Sequence, residues 1–208
     1  MKQLAIVTEH APRANWNAKL FLGVMHFALG EKKAGIEFVE ENIFFDYTDE
    51  SRLSVEGRRY IAGLLRHSRE FFAITNQWIN SYKRLLYGFE APTHISWSTR
   101  CDTSLIRVPE CNPDKPGAMR VELRNPDPAC NPYLVFAAVL ASGLKGISER
   151  YELPPPLDPD RKLASRADFQ KMGLEPLPTN LGEALVDETN AALDAIRLME
   201  GRPDSPFG

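Results

Sequence analysis

The chain has 208 residues, of which 43% are hydrophobic and 25% are charged, so it is long and apolar enough to bury a sizeable core. Its formal net charge of -3, with no block of like charges, argues against nucleic acids and anionic membranes as partners, because both require a basic surface. No apolar run approaches the roughly 18 residues of a membrane span, and the N-terminus lacks a cleavage-site pattern, so a cytoplasmic protein is predicted. The three cysteines lack CxxC spacing and indicate neither disulfides nor a zinc site.

Strand-like patterns occupy the N-terminal part of the chain. Residues 4–7, 20–29 and 36–45 are rich in β-branched and aromatic side chains, which favour strands. Ser54 is then a plausible N-cap for an amphipathic helix that runs to about residue 74. Residues 1–20 match no motif to which a function can be assigned.

The C-terminal part alternates short strands with turns and then becomes helical. Strands are predicted within residues 94–98, 104–108 and 119–124. Asn131 followed by Pro132 predicts a helix start, and residues 133–144 carry so little charge that this helix is expected to be buried on all sides. A last helix is predicted to begin after Asn180.

These patterns predict an α+β fold: a curved, mostly antiparallel sheet that turns a charged face toward a site and is backed by helices. We expect residues 1–150 to form the core. Residues 151–208 are expected to form a helical tail packed on the same domain.

The segment 120–124 carries the clearest chemical signal. Period-two alternation places Val121 and Leu123 on one face and Arg120, Glu122 and Arg124 on the other. This is either a solvated strand with incidental ion pairs or a polar face on which guanidinium groups bind carboxylate or phosphate while the glutamate binds a hard cation. The segment alone leaves both interpretations open.

Two further side chains have two interpretations each. His26 is the one polar residue of segment 23–29. It is either a structural residue or a metal ligand that shares a sheet with Glu122. A pair of imidazole and carboxylate ligands suits manganese better than magnesium. Arg107, in an apolar strand, is either a paired structural charge or a phosphate contact.

Residues 80–92 combine turn formers with Lys83, Arg84 and Glu90. Such a loop is suited to closing over an anionic substrate, with Gly88 allowing the bend. An ordinary surface loop would have the same composition.

Three ordered segments resemble motifs of the glutamine synthetase family. N-S-Y-K-R-L with G-F-E-A-P lies within residues 80–92, R-V-E-L-R-N-P-D-P spans residues 120–128, and N-P-Y-L followed by F-A-A lies within residues 131–138. The similarity runs from about His26 to Leu185. It is typical of the C-terminal half of the family's catalytic domain, so residues 1–150 would be that catalytic core.

The resemblance implies an ATP-dependent ligase of nitrogen metabolism that contains Mg²⁺ or Mn²⁺. His26 and Glu122 would be metal ligands, and Arg107 and Arg120 would contact the ATP phosphates.

The resemblance also implies how the substrate is bound. Arg84 and Arg124 would hold the carboxylates of glutamate or a similar acid. Glu90 would act on a flap that shields the acyl phosphate and helps to deprotonate the incoming ammonium. Excluding water from such an intermediate is physically reasonable, because it would otherwise hydrolyse.

Several positions depart from the family pattern. Ala28 replaces the second histidine of M-H-x-H, Asp102 replaces the arginine of N-R-S, and Tyr87 stands where proline is usual. The aspartate reverses a local charge and should repel phosphate. An altered acid or amine substrate, or a weakened enzyme, is therefore expected.

Further metal-binding glutamates of the family would precede His26, yet only 25 residues do so here. We therefore expect a homo-oligomer or a complementary polypeptide to complete the site. The alternative is a non-catalytic module that binds a small carboxylate or assembles with synthetase subunits.

Overall fold

A computed structural model describes residues 42–87, 91–158 and 166–200. The predicted strands at residues 4–7 and 20–29, and most of 36–45, lie outside these residues. Helices accompany a small open sheet, so the predicted α+β class is confirmed. The elements are α1 Val55–His67, α2 Phe72–Thr75, a 3-10 helix Ile79–Arg84, β1 Trp97–Ser98, β2 Ile106–Arg107, a 3-10 helix Pro116–Ala118, β3 Glu122–Leu123, α3 Pro132–Ser148, α4 Arg166–Lys171 and α5 Leu181–Glu200.

Helix α1 begins where the sequence predicts and ends earlier. The Ser54 side chain accepts a hydrogen bond from the backbone N–H of Gly57 at 3.0 Å, which satisfies an otherwise unpaired donor of the first turn. At the other end, the Ser68 hydroxyl donates to the carbonyl of Leu65 at 2.8 Å. A turn follows before α2 starts at Phe72. The single helix predicted to residue 74 is therefore two helices.

The sheet has the strand order β1-β2-β3. Strands β1 and β2 are parallel, with Trp97 opposite Ile106, and β2 and β3 are antiparallel, with Ile106 opposite Leu123. Each strand lies within a range that the sequence predicts. One face is closed by the core, since Ile106 is fully buried.

Helix α3 starts as predicted but is not buried on all sides. The Asn131 side chain accepts hydrogen bonds from the backbone N–H groups of Tyr133 and Leu134, and Pro132 follows the cap. However, Tyr133 is 68% and Phe136 is 42% exposed. The prediction of full burial is wrong because α3 packs through one side, and nothing within the described ranges covers the opposite side.

The packed side of α3 meets α1 backbone to backbone. A Cβ added at Gly63 would overlap the carbonyl oxygen of Ser142 and lie 2.9 Å from the Cα of Gly146. A Cβ at Gly143 would overlap the ring of Tyr60. Glycine is therefore required on both helices for this close approach.

The C-terminal helix is held by a cap and by an ion pair. The backbone N–H of Glu183 donates to Asn180 Oδ1 at 3.0 Å, and Glu183 Oε2 accepts from the backbone N–H of Thr179 at 2.8 Å. Arg69, after α1, pairs with Asp187 of α5 at 2.8 Å. The division into residues 1–150 and 151–208 stays a prediction. Across the described ranges, no helix is both long and apolar enough to cross a membrane.

The glycine contact generates a stability prediction. We expect Gly63→Ala to lower the free energy of unfolding by about 1 to 3 kcal/mol, because the methyl group overpacks a backbone contact. Alanine is otherwise the better helix former, so the opposite sign is expected at an open position. Urea unfolding followed by circular dichroism measures the change.

The matched control is Gly117→Ala, where an added Cβ meets no atom within 4 Å. We expect its unfolding midpoint to match that of the parent chain or to rise slightly, because alanine restricts the unfolded chain more than glycine does. Equal stability of the Gly63→Ala variant would contradict close packing of α1 and α3.

Candidate anion site on strands β2 and β3

The antiparallel pairing of β2 and β3 places charged side chains side by side. Arg107 lies opposite Glu122 in the register, and its Nε is 3.1 Å from Glu122 Oε2. Arg120 Nε is 2.9 Å from the other carboxylate oxygen, Oε1. Val121 and Leu123 pack against the core, as the alternation predicts. One glutamate is thus held by two of the arginines that the sequence singles out.

A second carboxylate joins the cluster from the turn between β1 and β2. Asp102 Oδ1 is 2.8 Å from Arg107 Nη1 and 3.5 Å from Arg124 Nη1. The backbone N–H of Arg124 donates to the carbonyl of Leu105 at 3.0 Å, which fixes its position beside β2. We define the charged cluster as Asp102, Arg107, Arg120, Glu122 and Arg124, which carry three positive and two negative charges.

Arg84 reaches the same region through the backbone. Its Nη2 donates to the carbonyls of Asn125 at 2.8 Å and Pro126 at 3.2 Å, and its Nη1 donates to that of Arg124 at 3.3 Å. Residues 80–84, predicted as part of a loop, lie in the 3-10 helix Ile79–Arg84. The guanidinium therefore fastens this helix to the turn that follows β3.

Beneath this turn lies a buried polar group, defined by Thr75, Asn76 and Asn125. Thr75 Oγ1 accepts hydrogen bonds from Asn125 Nδ2 at 2.7 Å and from Asn76 Nδ2 at 2.9 Å. The Tyr82 hydroxyl donates to the carbonyl of Asn76 at 3.0 Å. All three residues of the group are fully buried, so these hydrogen bonds are shielded from competing water.

The sequence analysis missed Thr75 and Asn76. Their signal is weak, because two small polar residues after an apolar helix are equally typical of a surface turn. What makes them important is the hydrogen bond from Asn125, far away in the sequence, to Thr75, which also accepts from Asn76.

Two titratable side chains near the buried polar group have shifted pKa values. Burial raises the pKa of Tyr82 to about 12, which keeps its hydroxyl protonated as the donor to Asn76. The backbone N–H of Ala129, aided by the hydroxyl of Ser81, lowers the pKa of Asp127. Asp127 is therefore ionised at neutral pH and stabilises the turn after Asn125.

Two predicted site residues, His26 and Glu90, lie outside the described residues. Glu122 is inside, but both of its oxygens already face guanidinium groups. Within the described ranges, no group of three or more His, Cys, Asp or Glu side chains is arranged to hold a metal ion. The described residues alone thus do not fit a divalent cation, which needs several oxygen or nitrogen ligands.

Comparison with known proteins relates the chain to one family. Residues 34–196 match the family described as "Glutamine synthetase, catalytic domain". The chain is 44% identical over 161 residues to "Glutamine synthetase" of Mycolicibacterium smegmatis, covering 77% of this chain and 36% of that protein. It is 37% identical over 202 residues to "Glutamine synthetase" of Thermotoga maritima, covering 94% and 44%. The chain thus spans between about a third and under half of the length of these curated relatives.

The buried polar group generates a second stability prediction. Thr75→Val keeps the shape of the side chain but removes the acceptor of the buried Asn125 amide and the shorter of the two hydrogen bonds of the Asn76 amide. We expect the free energy of unfolding to fall by about 1 to 3 kcal/mol, the cost of unsatisfied buried donors.

The control for this substitution is Thr189→Val, at an exposed position of α5, which removes the hydroxyl bond to the carbonyl of Leu185. Its midpoint in urea should change much less. A loss of similar size in both variants would show that the Thr75 hydroxyl has no special structural role.

Proposed function

The chain belongs to the glutamine synthetase family, and we propose that it forms the C-terminal part of the catalytic domain of an ATP-dependent carboxylate–amine ligase. In the proposed reaction, the γ-carboxylate of glutamate or a related acid attacks the terminal phosphorus of ATP, and ADP leaves. Ammonia or another amine then attacks the acyl phosphate. The new C–N bond forms as phosphate departs, and the amine loses a proton.

The observation that supports this proposal is the charged cluster on β2 and β3. Phosphoryl transfer requires positive charge where negative charge accumulates, and planar guanidinium groups match the geometry of carboxylate and phosphate oxygens. Arg107 and Arg120 are proposed to bind phosphate oxygens. Arg124, the most buried of the three guanidinium groups at 20% exposure, is proposed to bind a carboxylate of the acid substrate.

Arg84 is proposed to contribute in two ways. Its contacts with three backbone carbonyls support a positioning role, because they hold the turn that carries Arg124. Its predicted contact with the acid substrate, and the role of Glu90 in shielding the acyl phosphate, remain parts of the proposal. A closing segment would protect this intermediate from hydrolysis.

Mg²⁺ or Mn²⁺ remains a predicted cofactor, with Glu122 and His26 as its ligands. Such an ion would neutralise phosphate charge when bound. It would need further ligands from outside the described residues. A homo-oligomer or a complementary polypeptide is proposed to complete the site, since the described residues alone do not fit a divalent cation. A cytoplasmic location remains the prediction from the sequence.

A second candidate function is a non-catalytic module that binds a small acid or assembles with synthetase subunits. The observation that favours it is Asp102, whose carboxylate already pairs with Arg107 and lies near Arg124. A cluster that is partly neutralised from within stabilises developing negative charge less well.

The activity test compares two arginine variants. The protein isolated from its source, with any co-purifying chain, is supplied with ATP, glutamate, ammonium and Mg²⁺ or Mn²⁺, and phosphate release is measured. We expect Arg124→Gln to lower the rate by about 100-fold, the scale of losing one group that stabilises developing charge. Native mass spectrometry of the same sample identifies the assembly.

Arg58→Gln is the control, since Arg58 pairs with Asp49 at 2.6 Å outside the charged cluster. Its rate should match that of the parent protein. If the parent releases no phosphate that depends on both ATP and an acid, with glutamate and related acids and amines supplied in turn, the ligase proposal is wrong and the binding module becomes the better interpretation.

A further inference from the structure

The position of Asp102 suggests what limits anion binding at the charged cluster. A single oxygen, Oδ1, contacts both arginines, at 2.8 Å from Arg107 Nη1 and 3.5 Å from Arg124 Nη1. A carboxylate oxygen shared by two guanidinium groups is the arrangement expected for a bound anionic ligand. The chain therefore supplies its own anion to this pair of arginines.

The three side chains differ in how far they are exposed. The Asp102 side chain is 47% exposed, whereas Arg107 is 30% and Arg124 is 20% exposed. Solvent therefore reaches the aspartate more readily than the arginines that it contacts. An anion that binds both arginines has to replace this accessible carboxylate.

The turn that carries Asp102 is held by hydrogen bonds that do not involve the Asp102 carboxylate. The backbone N–H of Cys101 donates to Ser98 Oγ at 3.1 Å, and the Ser104 hydroxyl donates to the carbonyl of Cys101 at 2.8 Å. The backbone of this turn therefore keeps its conformation when the ion pairs between Asp102 and the arginines break. Exposed ion pairs are weak, so a rotation of the side chain is sufficient to release them.

We propose that Asp102 is an intramolecular anion that competes with anionic ligands for Arg107 and Arg124, so that each such ligand must displace its carboxylate to bind. A polyphosphate displaces it more readily than a monocarboxylate, because it gains more Coulomb energy from the same arginines. The inference rests on the proposed function in taking the charged cluster as the site of anionic substrates.

The test measures binding of inorganic pyrophosphate by isothermal titration calorimetry, without turnover. Asp102→Asn keeps the size of the side chain and removes its charge. We expect pyrophosphate to bind about three- to tenfold more tightly to this variant, the scale of one partly exposed ion pair. Acetate, a monocarboxylate, should gain by a similar factor, because removing a competitor raises the affinity of each ligand that has to displace it equally.

Two controls separate a local effect from a general change in charge. Asp114→Asn changes the net charge equally at an exposed loop position outside the cluster, and we expect its affinity for pyrophosphate to equal that of the parent. Arg124→Gln added to Asp102→Asn should abolish the gain, which assigns the bound anion to the cluster. Asp102→Ser replaces Asp102→Asn if circular dichroism shows that the latter does not fold.

Several outcomes would overturn the inference. Equal gains in pyrophosphate affinity for Asp102→Asn and Asp114→Asn would show that the effect depends only on net charge. A gain that persists when Arg124→Gln is added would show that the anion binds outside the charged cluster. Absence of pyrophosphate binding to Asp102→Asn would also refute it, because removing the competitor should open the site.

The failure of this inference and that of the proposed ligase are distinguishable. Tighter pyrophosphate binding by Asp102→Asn without phosphate release by the parent would support the competition and refute the ligase. Phosphate release by the parent, without tighter pyrophosphate binding by Asp102→Asn, would support the ligase and refute the competition.

Discussion

The backbone contact between α1 and α3 at Gly63 and Gly146 is the constraint on which the remaining architecture depends. It brings two helices closer than side chains would allow, and Ile61 and Leu64 of α1 are fully buried in the core that also contains Ile106 of β2. The short helix α2 packs against α3 and carries Thr75 at its end. From Thr75, one buried hydrogen bond reaches Asn125, beside Arg124. Helix packing is thus connected to the charged cluster through one polar side chain.

The charged cluster and the buried polar group beneath it have opposite energetic characters. Thr75, Asn76 and Asn125 are shielded from water, so the hydrogen bonds to Thr75 Oγ1 resist competition from solvent. The arginines and carboxylates of the charged cluster are partly exposed, and their ion pairs add little stability while remaining exchangeable. Buried hydrogen bonds beside exchangeable charges suit the binding of a charged ligand, because the turn beside Arg124 is held while ion-pair partners change.

Local features were predictable because their causes are local. The caps at Ser54 and Asn131 depend on residues within one helical turn, and both are observed. The alternation of segment 120–124 also required no knowledge of its neighbours, and it correctly separates Val121 from Glu122. The break of the first helix at His67 was not predictable from the apolar spacing, which continues to residue 72. Exposure of Tyr133 was not predictable either, because burial depends on what other elements cover it.

Motifs and residue patterns were enough to predict the family, the α+β class, and Arg107, Arg120, Glu122 and Arg124 as candidates for binding charged groups. The pairing of each carboxylate with a guanidinium group could be read only from the fold. Strand register placed Glu122 opposite Arg107, and the turn after β1 brought Asp102 onto the same arginine and near Arg124. Side-chain type is a property of single positions, whereas an ion pair depends on the relative placement of segments that only packing and register establish.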